Sequence, residues 1–397
     1  MYVESWLQEQ RQARTANLVV DNTLRQLKER SKVLDKYVPM KTKEGRDWLA
    51  YVTMQIDPIA SLISFGAEYP STKKGQFNQI ATRLFKAALK HEWTEDIQWK
   101  LKEVKEFAAA RGITVQNISV GEGKISIGQD NSLAEMIFGT IQSLVRGHVN
   151  LLDYLAWQVL QTGAMAYSDT RTGLAINMDW KPAITAIYNH FPAALTGTRD
   201  WTQFSTANGI QDLVDMHYVY KFDNGFGADE IAMSEQLLNM LLRQDSTREA
   251  VVASLTVGST ITGTVSVDQL NEVLRRRFLP PITLVDDFFS LDTANDGMNH
   301  PVRFLDPSKV VFLKKGMAER VLGGTLENAG KAGIYQRTYE ESKEPPLDIT
   351  ATASMMIITA PAIAKRGFCR QVTTIANLQT TQNLADFEFS GQSYTNY

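Results

Sequence analysis

The alternation of apolar and polar positions is most regular between Ser132 and Gly163, SLAEMIFGTIQSLVRGHVNLLDYLAWQVLQTG. Leu133, Ile137, Ile141, Leu144, Leu152, Leu155 and Val159 follow in steps of three and four with one double step, which predicts a helix with one buried apolar stripe. Ser132 is placed to cap its start with Glu135 three residues on, and Gly163 supplies a left-handed stop. Roughly 30 residues at 1.5 Å each span about 45 Å. The usual globular helix has only about 11 or 12 residues.

Before this helix, residues 3–37 read as an amphipathic helix, with Leu18, Val20, Leu24, Leu27 and Leu34 set among charges, and Pro39 breaks it. Residues 41–92 hold two alternating segments, WLAYVTMQI and QIATRLFKAALKH, around the polar tip EYPSTKKGQFN, which predicts a projecting hairpin. Within it, RLFKAALKHEW reads equally as strand or helix. Residues 94–110 read as a further amphipathic helix, and GEGKISIGQDN as a glycine-rich connection. After Gly163 come strand-like pieces, a short helix beginning near Pro182, a helix through ANGIQDLVDMHYVYKF, and a turn, short segment and helix in DNGFGADEIAMSEQLLNMLLRQ. This alternation predicts a compact α+β unit over 181–300. Val310, Val311, Phe312 and Leu313 form a buried strand candidate, ASMMIITAPAIAKRG is the last apolar strand, and the tail beyond Cys369 is rich in Thr, Gln and Asn.

Composition narrows the classes. The chain of 397 residues has 44% hydrophobic and 21% charged residues, ordinary for a globular protein, and a formal charge of −3 that disfavours binding nucleic acid by bulk charge. One cysteine, Cys369, excludes an intrachain disulfide framework. The N-terminal MYVESWLQEQRQAR lacks the apolar stretch of a signal peptide, and Arg146, His148 and Asp153 interrupt the long helix, so a cytoplasmic chain with no membrane span is expected.

Candidate chemistry does not accumulate. GGTLENAGKAG contains Gly330 and Lys331, but Thr325 and Ala332 stand where a phosphate loop needs Gly and Ser or Thr, and a glycine-bearing turn is the better account. DTANDG, from Asp292, has Ala294 and Arg303 at ligand positions of a calcium loop. His91, His148, His190, His217 and His300 lie far apart and read as hydrogen-bonded structural histidines. Asp286 and Asp287 point to opposite faces if extended, and helix capping before FFSL or solvent exposure explains them. The tryptophans Trp48, Trp93, Trp99, Trp157, Trp180 and Trp201 read as anchors of cores or subunit contacts. No catalytic residue, cofactor or metal site is expected.

The order of elements resembles the major capsid proteins of tailed bacteriophages, the lambda-type capsid protein E family with the Hong Kong 97-like fold. AWQVLQTGAMAY followed by INMDW is similar to that family's spine helix entering a strand. NGIQDLVDMHYV and EIAMSEQLLNMLL are similar to its apical domain, and FLDPSKVVFLKKG, Gly323, Gly324, Pro345, Pro346 and ASMMIITAPAIAKRG to its closing strands. The resemblance implies an α+β fold with an N-terminal arm (1–40), an extended hairpin (41–92), a peripheral domain (93–180) with spine helix 132–162, an apical domain (181–300), a return to the peripheral domain (301–371) and a C-terminal tail (372–397). It implies self-assembly into hexamers and pentamers of a virion shell enclosing DNA without sequence-specific binding, with scaffold, decoration and portal proteins as further partners and synthesis in the host cytoplasm. Candidate subunit contacts are then Pro70, Lys73, Lys74 and Gln76 at the hairpin tip and Asp223, Phe226 and Asp229 in the apical unit. A bacterial nanocompartment shell of the same fold, and an α+β enzyme whose groups converge only in three dimensions, are the alternatives.

Overall fold

The computed structural model describes residues 32–44, 47–54, 76–93, 120–121, 124–125, 131–169, 174–180, 191–254, 265–291, 300–341, 347–360, 363 and 367–374. In chain order, α1 (Lys32–Tyr37) leads to β1 (Met40–Lys43), β2 (Asp47–Met54), β3 (Gln76–Arg83) and β4 (Phe85–Trp93). The short β5 (Val120–Gly121) and β6 (Lys124–Ile125) precede α2 (Asn131–Thr162) and the hairpin β7 (Ala164–Asp169) and β8 (Leu174–Asp179). There follow α3 (Gly209–Asn224), β9 (Glu230–Met233), α4 (Glu235–Arg243), α5 (Asp245–Ser254), α6 (Val267–Arg276) and β10 (Ile282–Leu284). The closing strands are β11 (Phe288–Leu291), β12 (His300–Arg303), β13 (Lys309–Leu313), β14 (Glu319–Gly323), β15 (Tyr335–Glu341), β16 (Leu347–Thr359) and β17 (Phe368–Gln371). The fold is α+β.

The predicted long helix is α2, 32 residues. It starts at Asn131, one residue before the cap position that the sequence suggested. Its stop is as expected: Gly163 has φ 70, and its N–H reaches the Val159 carbonyl at 2.8 Å. Ile141, Leu152, Leu155 and Val159 of the apolar stripe are buried, but so are Val145, Val149, Ala156, Trp157 and Leu160. More than one stripe is covered because α2 packs against β4, β14 and β16 and also against β7, β13 and β17.

The main sheet is organised around β16. β15 pairs with its first part, from Glu341↔Leu347 to Tyr335↔Ala353, and β14 with its last part, while β4 runs along the opposite edge from Trp93↔Asp348 to Phe85↔Met356. β1 adds to β14 in parallel. Residues 85–93 are therefore strand, and they belong to this sheet and not to a hairpin arm reaching 92. Backbone pairing with β16 overrides the local helical tendency of FKAALK, as sheet context commonly does. The projecting ribbon is confined to β2 and β3, paired from Asp47↔Arg83 to Met54↔Gln76. Buried Leu84 alone separates β3 from β4, so the ribbon continues a strand of the sheet. The helical readings of residues 3–31 and 94–110, the short helix near Pro182 and the loop at Asp292 lie outside the described residues.

A second sheet, in the order β10-β9-β13-β17, stands between two cores. Val311, Leu313, Ala232 and Cys369 face the core that holds α2, together with Trp157 and Trp180. Val310, Phe312, Ile231, Met233 and Phe368 face the other, built from α3 to α6 with Trp201. Alternation along each strand sends neighbouring residues to opposite sides. These three tryptophans anchor cores, as read from the sequence.

One buried cation ties the first core to the N-terminal segment. Arg320 of β14 is fully buried; its guanidinium pairs with Asp153 of α2 and Asp35 of α1, and its Nε donates to the Val38 carbonyl at 2.9 Å. A buried ion pair offsets its own desolvation only while both partners remain. Arg320→Met is expected to lower stability by about 3–5 kcal/mol by taking the guanidinium from the buried Asp153 carboxylate, and adding Asp153→Leu is expected to restore part of the loss. Urea unfolding of the single and double variants measures this, and equal midpoints for the two would refute it.

Candidate assembly surface

The helices of the second core are held by local caps. α3 starts on Asn208, whose side-chain oxygen accepts the Gln211 N–H at 3.1 Å, and ends on Gly225 at φ 75. Ser234 caps α4 through the Leu237 N–H at 3.1 Å, and Asp286 Oδ2 accepts the Glu235 N–H at 2.7 Å. Asp286 thus caps, as the sequence suggested, but it caps α4, because FFSL is strand β11; its other oxygen takes Arg303 at 2.8 Å. Asp212 accepts Arg199 Nε and Trp201 Nε1, both at 3.1 Å, and fixes the segment entering α3. Asp200 ties this segment to the chain just past β17, accepting Thr373 Oγ1 at 2.7 Å.

These constraints decide which side of α3 faces out. Ile210, Leu213, Met216, His217, Tyr220 and Asn224 are buried, and Gln211, Asp215, Tyr218, Val219 and Phe222 are exposed. Apolar residues therefore lie on both sides, which periodicity alone does not sort. Of the predicted contact residues, Phe226 and Asp229 are brought together by Lys314, whose ammonium lies 5.4 Å from the Phe226 ring centroid and donates to Asp229 Oδ1 at 2.6 Å. Burial opposes ionisation of Asp229, but hydrogen bonds from Lys314 and the Lys315 backbone outweigh it and hold the carboxyl below its usual range. Asp223 sits in the last turn of α3, its side chain outside the described residues. Gln76 opens β3, its side chain likewise, and Pro70, Lys73 and Lys74 lie outside the described residues.

Chemical candidates take structural places. Among the described residues, no group of three or more His, Cys, Asp or Glu is arranged to hold a metal ion. Burial pushes the Cys369 thiol up to about 12, which removes it as a nucleophile near neutrality. The Gly330 region is a turn between β14 and β15, with Ala329 and Gly330 left-handed. Gly324 is required there, since a Cβ on it would meet the Gly330 oxygen at 2.0 Å. His148 lies between Thr352 Oγ1 at 3.0 Å and Ser354 Oγ at 2.8 Å, as a hydrogen-bonded structural histidine should. His217 departs from that expectation at Nε2, which is buried near Gly227 with no hydrogen-bond partner among the described residues.

No family model and no curated protein matches the sequence. Solved structures do. A putative capsid protein of a prophage of E. coli CFT073 is 14% identical with a TM-score of 0.46, over 75% of this chain and 79% of that one. A phage-related protein from Bordetella bronchiseptica RB50 is 9% identical with a TM-score of 0.48, over 90% of this chain and 97% of that one. A virus-like particle from Pyrococcus furiosus is 10% identical with a TM-score of 0.38, over 89% and 97%.

Burial lowers the pKa of His148 to about 4, and burial followed by the Lys221 charge lowers that of His217 to about 4. Both folded values lie below the unfolded value of about 6.5, so the unfolded chain binds more protons between the two. Stability from these groups is therefore complete above about pH 6.5 and falls as pH drops toward 4. For His148 the loss by pH 4 is expected to be roughly 3 kcal/mol. Thermal melts from pH 7 to 4 should show a flatter profile for His148→Gln than for the native chain, and parallel profiles would refute the assignment.

Proposed function

We propose that this chain is a structural shell protein, the major capsid protein of a tailed bacteriophage, which assembles with copies of itself into hexamers and pentamers of an icosahedral shell enclosing double-stranded DNA. The observation that carries the reading is the β2–β3 ribbon. Its two strands of eight residues extend the line of β4, and among the described residues their substantial contacts are with each other. A lone two-stranded ribbon is marginal in water. It calls for a surface to lie on, and a neighbouring subunit supplies one.

The rest of the architecture supports the same reading. A long helix sandwiched between two sheets gives a stiff body, and a second core beyond the shared sheet gives a compact unit that can meet its equivalents around an axis. In this reading the body around α2 is the peripheral domain and the unit from α3 to β10 the apical domain. The hairpin tip with Pro70, Lys73, Lys74 and Gln76 touches a neighbour, and Asp223, Phe226 and Asp229 lie near the capsomer axis. A chain charge of −3 suits a wall that contains DNA without gripping it. The work of such a protein is enclosure, not chemical turnover.

Negative-stain electron microscopy of the purified chain, with sizing chromatography, tests this. Closed shells, or rings of five and six, are expected. A persistent monomer refutes the proposal, and shells holding enzymes in place of DNA would assign a nanocompartment. Deleting 70–76 is expected to abolish stable particles while leaving soluble, folded chains; normal particles from that deletion would remove the role given to the hairpin.

A further inference from the structure

We propose that Phe278 and Arg277, at the end of α6, form a knob that docks on the outer face of α3 in a second copy of this chain. The proposal rests on the shell-forming reading and gives one of its contacts a chemistry.

The knob is recognisable from its backbone. The Phe278 N–H bonds to the Arg275 carbonyl at 3.1 Å, and the Leu279 N–H to the Leu274 carbonyl at 3.0 Å, with Phe278 at φ 57. This is a helix stop whose left-handed residue is ordinarily glycine. Phenylalanine there is strained. Phe278 is 82% exposed, and the following Leu279 supplies the buried apolar contact. Phe278 thus adds strain without filling the chain's own core. A binding partner accounts for both features. Beside it, Arg275 and Arg276 share Glu272 at 2.9 and 3.0 Å, while Arg277 is exposed with no ion pair seen among the described residues. The tip carries excess positive charge.

The socket is an aromatic face with one exposed carboxylate beside it. On α3, Tyr218 is 70% and Phe222 76% exposed, one turn apart, with Val219 also exposed. Asp215 lies a turn before them, exposed, bonded to Gln211 at 2.8 Å and 3.9 Å from Arg199. Asp212 of the same helix is buried against Arg199, and Lys221 is exposed next to Phe222 in the chain. A guanidinium is attracted to an aromatic face and to a carboxylate, and aromatic residues with arginine are enriched in protein interfaces. α5 packs against α3 and against α6, whereas α3 and α6 share no comparable contact, so α5 separates knob from socket within one chain. Knob and socket therefore meet between copies. In the shell-forming reading the contact runs head to tail and repeats around a ring, rather than closing reciprocally in a two-fold dimer.

Oxidative cross-linking of the full chain carrying Phe278→Cys and Phe222→Cys tests the contact, with the native chain as control because its Cys369 is buried. A reducible ladder running past the dimer is expected. A ladder that stops at the dimer overturns the head-to-tail contact. No ladder from chains that still form shells overturns it while sparing the shell reading, and no ladder with no shells from the native chain overturns both. Phe278→Gly separates binding from folding. It relieves the strain, so the melting temperature should hold or rise, while particle yield should fall by about tenfold, the scale of an interface anchor. Native yield from this variant would likewise overturn the proposal.

Discussion

The alternation of β13 is the constraint on which the body depends. Val311 and Leu313 enter one core and Val310 and Phe312 the other, so a single strand is apolar on both sides. β9 and β17, its two ladder partners, divide their residues the same way. A slip of one residue would exchange every side chain between the cores. The two units are therefore joined by a hydrogen-bonded wall with one permitted register, which makes them parts of one stiff object.

On the far side of α2 the contact is of another kind. Thr350, Thr352 and Ser354 alternate along one face of β16, with Thr338 and Gln336 opposite the first two on β15, and all are buried. His148 closes this polar layer from the helix side, and Arg320 closes the neighbouring one with Asp153. Directional bonds here supply what apolar packing does not, a single position of the helix over the sheet. Both amide atoms of Gln336 are without hydrogen-bond partners among the described residues.

Against this rigid interior, the outside is incomplete. The ribbon of β2 and β3 extends past the sheet, Tyr218 and Phe222 face solvent, and a strained phenylalanine ends α6. Each costs an isolated chain free energy that burial against another copy would return. In the proposed shell these features are the joints, and the two cores are what holds them at fixed angles.

Local signals were legible in the sequence. The steps of three and four gave α2 and Gly163 its end; apolar runs gave β13 and part of β16; turn and helix patterns gave α3 and α4. Asp223, Phe226 and Asp229 were named as contact candidates only through the resemblance, and no local pattern pointed to the lysine that joins the last two. Each readable feature is set by residues within a turn or two, where period and capping act. The remainder is decided by segments far apart in the chain. FKAALKHEW is strand because β16 lies beside it, Asp153 is buried because Arg320 reaches it, and Tyr218 faces out because the helices packed on α3 take its other side. No local pattern encodes these outcomes, because the free energy that selects them comes from burial and pairing that exist only once distant segments have met.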